Sequence, residues 1–475
     1  MSFSANKKGG YSIIEILIAM VLFTASISLT IILFSSSQNV LVNRENNILA
    51  KSLSNEGLNG ANVILKNNWQ SIADGQYGLS WENDTWSFSD IQDTQGIFTR
   101  KITITTMENS ERKIKSAVTW QESPLRPEGK VELATILTNW VNVVDTGGDD
   151  GGGGITGDWQ NPQTLGSVDL GPGNSATDLD VINKIVYMSA EASALVKPDF
   201  WIIDATDGQN PVIKSSLDVD SNGLNAVDAT QNYAYAANQK TDAQLLVIDT
   251  SNILSPAVTA SFQLPGVSGS NAVGNAIFYY ANKVYIGTKE ATGPEFHIID
   301  VTDPAYPNHL GSFEINDNIN DIYISDNRAY LATDLGNAGL MVLDVSNPSA
   351  IALLGQTFSS DTKSVFNIHS SLTLLGPAQE FYTIDTINPA DMIKLGFIGA
   401  GNIINDIVAR DTLAFLATAN SNREFQVINI SDPSNPTFHS SFNFPQVATG
   451  IDYEDNLVYI SVRSNDGLRI ITSAP

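Results

Sequence analysis

Two patterns of apolar positions divide this chain. Residues Tyr11 to Phe34 read YSIIEILIAMVLFTASISLTIILF, an almost unbroken apolar run of 24. As a helix at about 1.5 Å per residue such a run spans about 36 Å, enough to cross a ~30 Å hydrocarbon layer. Lys7 and Lys8 precede it, which predicts a cytoplasmic leader and an exported remainder. Glu15 interrupts the run in its first turns, where an unpaired carboxylate is costly and marks a functional position. From residue 35 to about 73 the apolar positions thin to a stripe that includes Val40, Ile48, Leu53, Leu58 and Leu65. That spacing predicts a helix leaving the membrane with one covered face, weakened at Gly57 and Gly60. Alternating strand patterns follow at Phe98–Thr105, Lys113–Trp120 and Lys130–Trp140, with Glu108-Asn109-Ser110-Glu111 as a hairpin turn. The five tryptophans of this region read as core and sheet-face residues.

The second pattern is a repeat. An apolar pentapeptide closed by a turn residue recurs seven times, ending at Asp204, Asp249, Asp300, Asp344, Asp385, Asn429 and Thr472. The steps between these positions are 45, 51, 44, 41, 44 and 43. A period in the forties with four short strands per unit is the sequence signature of a β-propeller blade. Turns such as Thr302-Asp303-Pro304 follow, where Asp caps the backbone and Pro fixes φ, so the closing aspartates read as structural. The chain stops three residues after Thr472, and the seventh unit lacks its fourth strand. Asn161–Leu170 carries the same Leu-Gly-Ser pattern as Leu310-Gly311-Ser312 and is expected to supply that strand, removing both exposed edges. Between the two regions, Thr146–Gly154 is a Gly/Asp linker.

Composition narrows the chemistry. Asp and Glu number 51 against 25 Lys and Arg, a net charge of −26 that argues against nucleic-acid binding. Cysteine is absent, which removes disulfides and thiolate chemistry, and the four histidines are scattered. His297 and His439 sit on repeat strands and read as packed or surface imidazoles. Asp218-Val219-Asp220-Ser221-Asn222-Gly223 begins like a calcium loop, but Ala229 stands where the twelfth-position glutamate belongs, which favours a turn.

The stretch Gly9-Gly10-Tyr11-Ser12-Ile13-Ile14-Glu15 resembles the class III signal of type IV prepilins and pseudopilins. The resemblance implies cleavage by a prepilin peptidase between Gly10 and Tyr11 and N-methylation of Tyr11. It further implies that Glu15 pairs with the terminal amine of a neighbouring subunit during assembly, which relieves its burial. Tyr replaces the commoner Phe, and the absence of a kinking proline points to a minor subunit. A secretory signal cut near Thr24-Ala25-Ser26, or a plain membrane anchor, stand as alternatives. A helix followed by an antiparallel meander is similar to the pilin fold over residues 7 to 143. The C-terminal repeat resembles the LVIVD-repeat propellers over residues 159 to 475.

The resulting expectation is a mainly β chain: a seven-bladed β-propeller behind a pilin-like α+β module with a membrane-spanning helix. Its divisions are a leader at 1–10, a filament-core helix at 11–36, an α+β domain at 37–145, a linker at 146–158 and a propeller at 159–475. No catalytic residue is expected. The expected role is a minor pilin-like subunit that displays the propeller at the cell surface for binding or adhesion. Its partners would be prepilin peptidase, other pilin or pseudopilin subunits, the membrane and a surface ligand, without nucleic acid. An assembly-priming pseudopilin of a type II-like secretion machine and an exported propeller enzyme are the alternatives. Within the propeller, aligned inner strands share an apolar position, Leu179, Val227, Ile277, Ile322, Phe366, Ile407 and Ile451, expected to pack between blades. Beside it lie Asp178, Asp321 and Asp406, then Asp180, Asp228 and Asp452, all expected to face the central channel. Like charges there call for an offset, and a Ca²⁺ site at Asp178, Asp321 and Asp406 is the candidate. The alternative is that these carboxylates accept backbone N–H groups and channel water.

Overall fold

A computed structural model describes residues 46–473, apart from 63, 66–71, 83–84, 108–110, 122–128, 139–154, 193–196, 220–222, 358–359 and 369. The leader, the apolar run with Gly10, Tyr11 and Glu15, and most of the linker lie outside the described residues. Among the described residues no helix is long and apolar enough to cross a membrane. The chain divides into two units, Met1–Asn139 and Trp140–Pro475.

The first unit lays a helix over 46–62 on a six-stranded antiparallel sheet. Phe98–Thr106 and Glu111–Trp120 pair as an alternating hairpin, and Gly129–Thr138 extends it. Ile102, Ile104 and Ile114 point to the helix and bury with Ala61, Ile64 and Leu65. Gly57 has a packing role where composition suggested only weakness. A Cβ there would stand 2.4 Å from Ser116 Oγ, so the glycine lets helix and sheet approach. Arg100 is buried beneath the helix and is balanced by Asp93 and Glu56, each at 3.0 Å. Three strands ahead of the predicted meander, Gly75–Glu82, Thr85–Ser89 and the short Asp93–Gln95, complete the sheet, and Trp81 on the first hairpin is exposed rather than core.

The second unit is a propeller-like set of seven four-stranded antiparallel sheets, S1 to S7 in chain order. S1 runs Asn174–Ile182, Ile185–Ala192, Phe200–Asp204 and Val212–Leu217. S2 to S6 occupy 224–262, 274–313, 319–357, 362–399 and 404–442. S7 combines Ala448–Glu454, Leu457–Val462 and Leu468–Ser473 with the distant closing strand Pro162–Val168. The pentapeptides are the third strands, buried along most of their length between neighbouring sheets.

The register explains the Leu-Gly-Ser pattern. Gly166 faces Ile470 in S7 as Gly311 faces Ile298 in S3, and a bulge follows both pairs. A Cβ at Gly311 would lie 1.8 Å from Pro348 O, and one at Gly355 1.7 Å from Pro389 O. Each such glycine admits the turn of the following sheet onto the outer strand. Gly166 does the same for S1, where Gly208 O lies 2.2 Å from its would-be Cβ. The closing strand therefore occupies the outer position of S7 in contact with S1, as the sequence pattern anticipated.

Seven side chains stitch the inner strands together, one per sheet. Thr177 donates to Leu224 O at 2.7 Å, Asn225 to Gly274 O at 2.6 Å and Asn275 to Ile319 O at 2.7 Å. Asn320 donates to Thr362 O at 2.8 Å and Ser364 to Ile404 O at 3.2 Å. Asn405 reaches Ala448 O at 2.6 Å, and Thr449 closes the circle on Ala176 O at 3.1 Å. Glu454 of S7 adds a second closure by accepting the Asn183 and Lys184 N–H groups of S1, both at 2.6 Å.

Candidate functional site: the central cavity

The inner strands enclose a cavity of about 630 Å³ on the ring axis. All seven apolar positions of the aligned series are buried, and all seven border this cavity as well as the sheet interfaces. Asp178, Asp180, Asp228, Asp321, Asp406 and Asp452 also line it, as expected from the alternation. On S3 to S5 its wall is aromatic. Phe278 and Tyr323 lie 5.1 Å apart between ring centroids, and Tyr323 and Phe366 lie 4.8 Å apart.

An innermost strand has a free edge, and its outward N–H groups need acceptors. The aspartates supply them. Asp321 accepts Ile322 N–H at 2.7 Å and, across the seam, Val365 N–H at 2.8 Å. Asp406 accepts Ile407 N–H at 2.7 Å and Ile451 N–H at 2.8 Å. Asp178 accepts Leu179 N–H and, at 3.0 Å, Val227 N–H. One layer along, Asp180 bridges Val181 and Ala229, Asp452 bridges Tyr453 and Val181, and Asp228 accepts Tyr279 N–H. Each carboxylate spans two neighbouring sheets. This is the backbone-capping alternative that the sequence left beside calcium.

Asp178, Asp321 and Asp406 thus belong to three separate seams. Among the described residues no group of three or more His, Cys, Asp or Glu side chains is arranged to hold a metal ion. Their carboxyl groups sit deep in the ring, and burial pushes Asp178 up to about 6 against the pull of its two N–H donors. Burial pushes Asp321 up to about 7, with the Asp178 charge adding to it. Asp406 is raised well above the usual carboxylate range by burial and by the charges of Asp321 and Asp178. The three groups feel one another without sharing a common centre.

The other sequence candidates resolve as structural. Asp204, Asp249, Asp300, Asp344, Asp385 and Asn429 each accept the N–H two residues on, capping the turns. His297 is buried, bonded to Pro294 O at 2.8 Å and to His309 at 3.2 Å, and burial holds its pKa to about 4. His439 contacts Gln160 and Asp158 O near the surface. His369 and the centre of the calcium-like loop lie outside the described residues. Sequence reasoning missed the seven-member stitch, although its signal is present. Two residues before each constant apolar position stands Thr, Asn or Ser in every unit.

The LVIVD repeat family matches residues 225–263, 282–314, 318–357 and 414–444. The chain carries LVIVD repeats. The four matches fall on S2, S3, S4 and S6, each taking in the third strand and the turn after it. No curated protein matches the chain. Among solved structures, a crystal structure of a mitotic checkpoint complex is similar at 11% identity and a TM-score of 0.47. That match covers 68% of this chain and 90% of the other, a likeness too distant to carry a functional argument.

Proposed function

We propose that this chain is a minor type IV pilin-like subunit that displays a seven-bladed LVIVD-type propeller as a surface binding module. The observation that carries the reading is the order of parts. An apolar run with Gly10, Tyr11 and Glu15 precedes a helix laid on an antiparallel sheet, and the LVIVD-bearing ring follows. In this reading prepilin peptidase cuts after Gly10, Tyr11 becomes the methylated N-terminus, and Glu15 pairs with a neighbouring subunit. The chain is held in the membrane by one span until assembly, with both folded units exported. The central cavity is the binding site, and its acidic side chains beside an aromatic wall suit an organic cation such as an amine. The ring supplies binding rather than catalysis.

Intact-mass analysis of the membrane form tests the processing step. The reading expects a chain beginning at Tyr11, one methyl group heavier than its sequence. A start near residue 26, or an uncut chain, overturns it. Immunogold labelling of sheared filaments then separates surface display from a basal pseudopilin of a secretion machine.

A further inference from the structure

The segment leading into the closing strand does more than connect. The expected linker included residues 155–158, yet these are bonded to S6 and S7. Ile155 N–H donates to Asp411 Oδ2 at 2.7 Å, and Thr156 N–H to Asn456 Oδ1 at 2.9 Å. Asp411 and Asn456 sit in the inner hairpin turns of S6 and S7. Trp159 is fully buried, edge-on to Phe415 at 4.9 Å and to Phe425 at 6.4 Å between centroids. Its N–H reaches Ser473, and its carbonyl accepts Ser440 Oγ at 2.5 Å.

These residues stand in for a missing turn. In five sheets the second Asx residue of the turn after the third strand accepts the N–H two positions on, as Asp207, Asn252, Asp303, Asn347 and Asp432 do. Asp158 does the same for Gln160 at 3.0 Å, and Pro162 follows four residues on, as Pro211, Pro256, Pro307 and Pro436 follow theirs. Trp159 falls where the other turns carry Gly208, Ile253, Pro304, Pro348 and Pro433. Its carbonyl accepts a hydroxyl from the preceding sheet, as Ile253 O accepts from Ser215 and Pro433 O from Thr383. The position usually filled by a small or turn-forming residue here carries the largest side chain, driven into the core.

We propose that residues 155–160 are a tension anchor that shields ring closure from pulling on the upstream chain. Pro162 pairs with Ser473 at one end of the closing strand. Force applied at that end would open the strand pair one hydrogen bond at a time, the weakest loading direction for a β-pair. The anchor lies just upstream of that end. It spreads the force over several hydrogen bonds and a buried indole at the seam of two sheets, which must fail together. The proposal rests on the reading that the upstream chain is a tether.

Optical-tweezers pulling on the full chain in detergent tests it. The chain has no cysteine, so Asp150→Cys and the exposed Tyr306→Cys provide two unique handles. The anchored chain should open in a high-force first event. Trp159→Ala should lose that event and release the closing strand at low force. His439→Ala with Ser440→Ala, which leaves the indole in its pocket, should weaken the same event. Equal force distributions for all three chains, or a low-force first event without any substitution, overturn the proposal. The measurement is made in vitro, so a failed surface localisation would refute the tether reading while leaving the force result standing.

Discussion

Replacing Asp321 and Asp406 together by Asn should reverse part of the pH dependence of stability. In the unfolded chain these carboxyls ionise near 3.8, whereas in the ring burial pushes Asp321 up to about 7. Between those limits the native state holds more protons than the unfolded state, so these groups make stability fall as pH rises. At about 1.4 kcal/mol per pH unit, Asp321 alone represents on the order of 4 kcal/mol by neutral pH. Asp406 acts in the same direction. Two histidines oppose it, because His297 is held near 4 and His309 is also lowered by burial. Their contribution rises with pH up to about 6.5. Turn carboxylates such as Asp204 and Asp249 are lowered, and their stabilisation is lost only as pH falls below about 4. Comparing the double variant with the unsubstituted chain cancels the histidine and turn contributions. Each Asn also turns an N–H₂ toward a backbone N–H, which costs about 1–3 kcal/mol at every pH. The variant should therefore melt lower at pH 4.5, and the gap should close or invert by pH 7.5. Thermal unfolding of the full chain by circular dichroism, with chelator present, reads this directly. A gap that stays constant or widens with pH would show that the carboxylates are ionised and content in the ring, and the burial argument would fail.

Other outcomes follow from the same geometry. Calorimetric titration with Ca²⁺ should give no heat and no rise in melting temperature, because the carboxylate oxygens already accept backbone N–H groups; binding at millimolar Ca²⁺ that Asp321→Asn abolishes would refute the capping reading. Gly311→Ala should destabilise by about 3 kcal/mol, because its methyl would meet Pro348 O at 1.8 Å, while Gly336→Ala, with open space around it, should be near neutral in the same melts. Asn405→Ala should cost about 1 kcal/mol by leaving Ala448 O without its 2.6 Å donor, and equal stability would remove the stitch from the account. Deleting residues 159–170 should lower the melting temperature sharply by exposing the edges of S7. Glu15→Ala should permit cleavage yet impair recovery in sheared filaments.

The repeat was legible because a third strand buried along most of its length keeps its first and fourth positions apolar in every unit, and its turn restarts with Asx in six of the seven. Ring closure was legible for the same reason, since Leu165-Gly166-Ser167 repeats an outer-strand pattern whose glycine answers to a neighbour's carbonyl. The carboxylates were found, and backbone N–H capping was weighed beside a cation site, but the pattern could not say which strands each carboxyl joins. Alternation along a strand tells which residues share a side and says nothing about whether a carboxyl reaches the axis or the next strand's amides. The Trp159 substitution for a turn was hidden because it joins residues about 300 positions apart in sequence. The strands at Gly75–Glu82 and Thr85–Ser89 were missed because their exposed Trp81 and interspersed Gly and Ser blur the two-residue period.

Arithmetic explains why the inner strands of this cavity are not all capped alike. A carboxylate has two oxygens, so one aspartate can cap two adjacent inner strands, and three cap six. Asp178 serves S1 and S2, Asp321 serves S4 and S5, and Asp406 serves S6 and S7. Seven is odd, and S3 is the strand left over. There the equivalent residue is Ala276, and the cavity wall turns to Phe278 and Tyr279. In the next layer the aspartates cluster on S7, S1 and S2, while the same position on S3 and S4 holds Phe278 and Tyr323. A ring of equivalent sheets would present a ligand with seven identical choices. The departures from equivalence gather five of the six lining aspartates on S6, S7, S1 and S2 and leave Asp321 among the aromatic side chains of S3 to S5. Selectivity must come from those departures, so substitutions at Phe278 and Tyr323 should alter what binds, whereas substitutions in the stitch should alter only how firmly the ring holds.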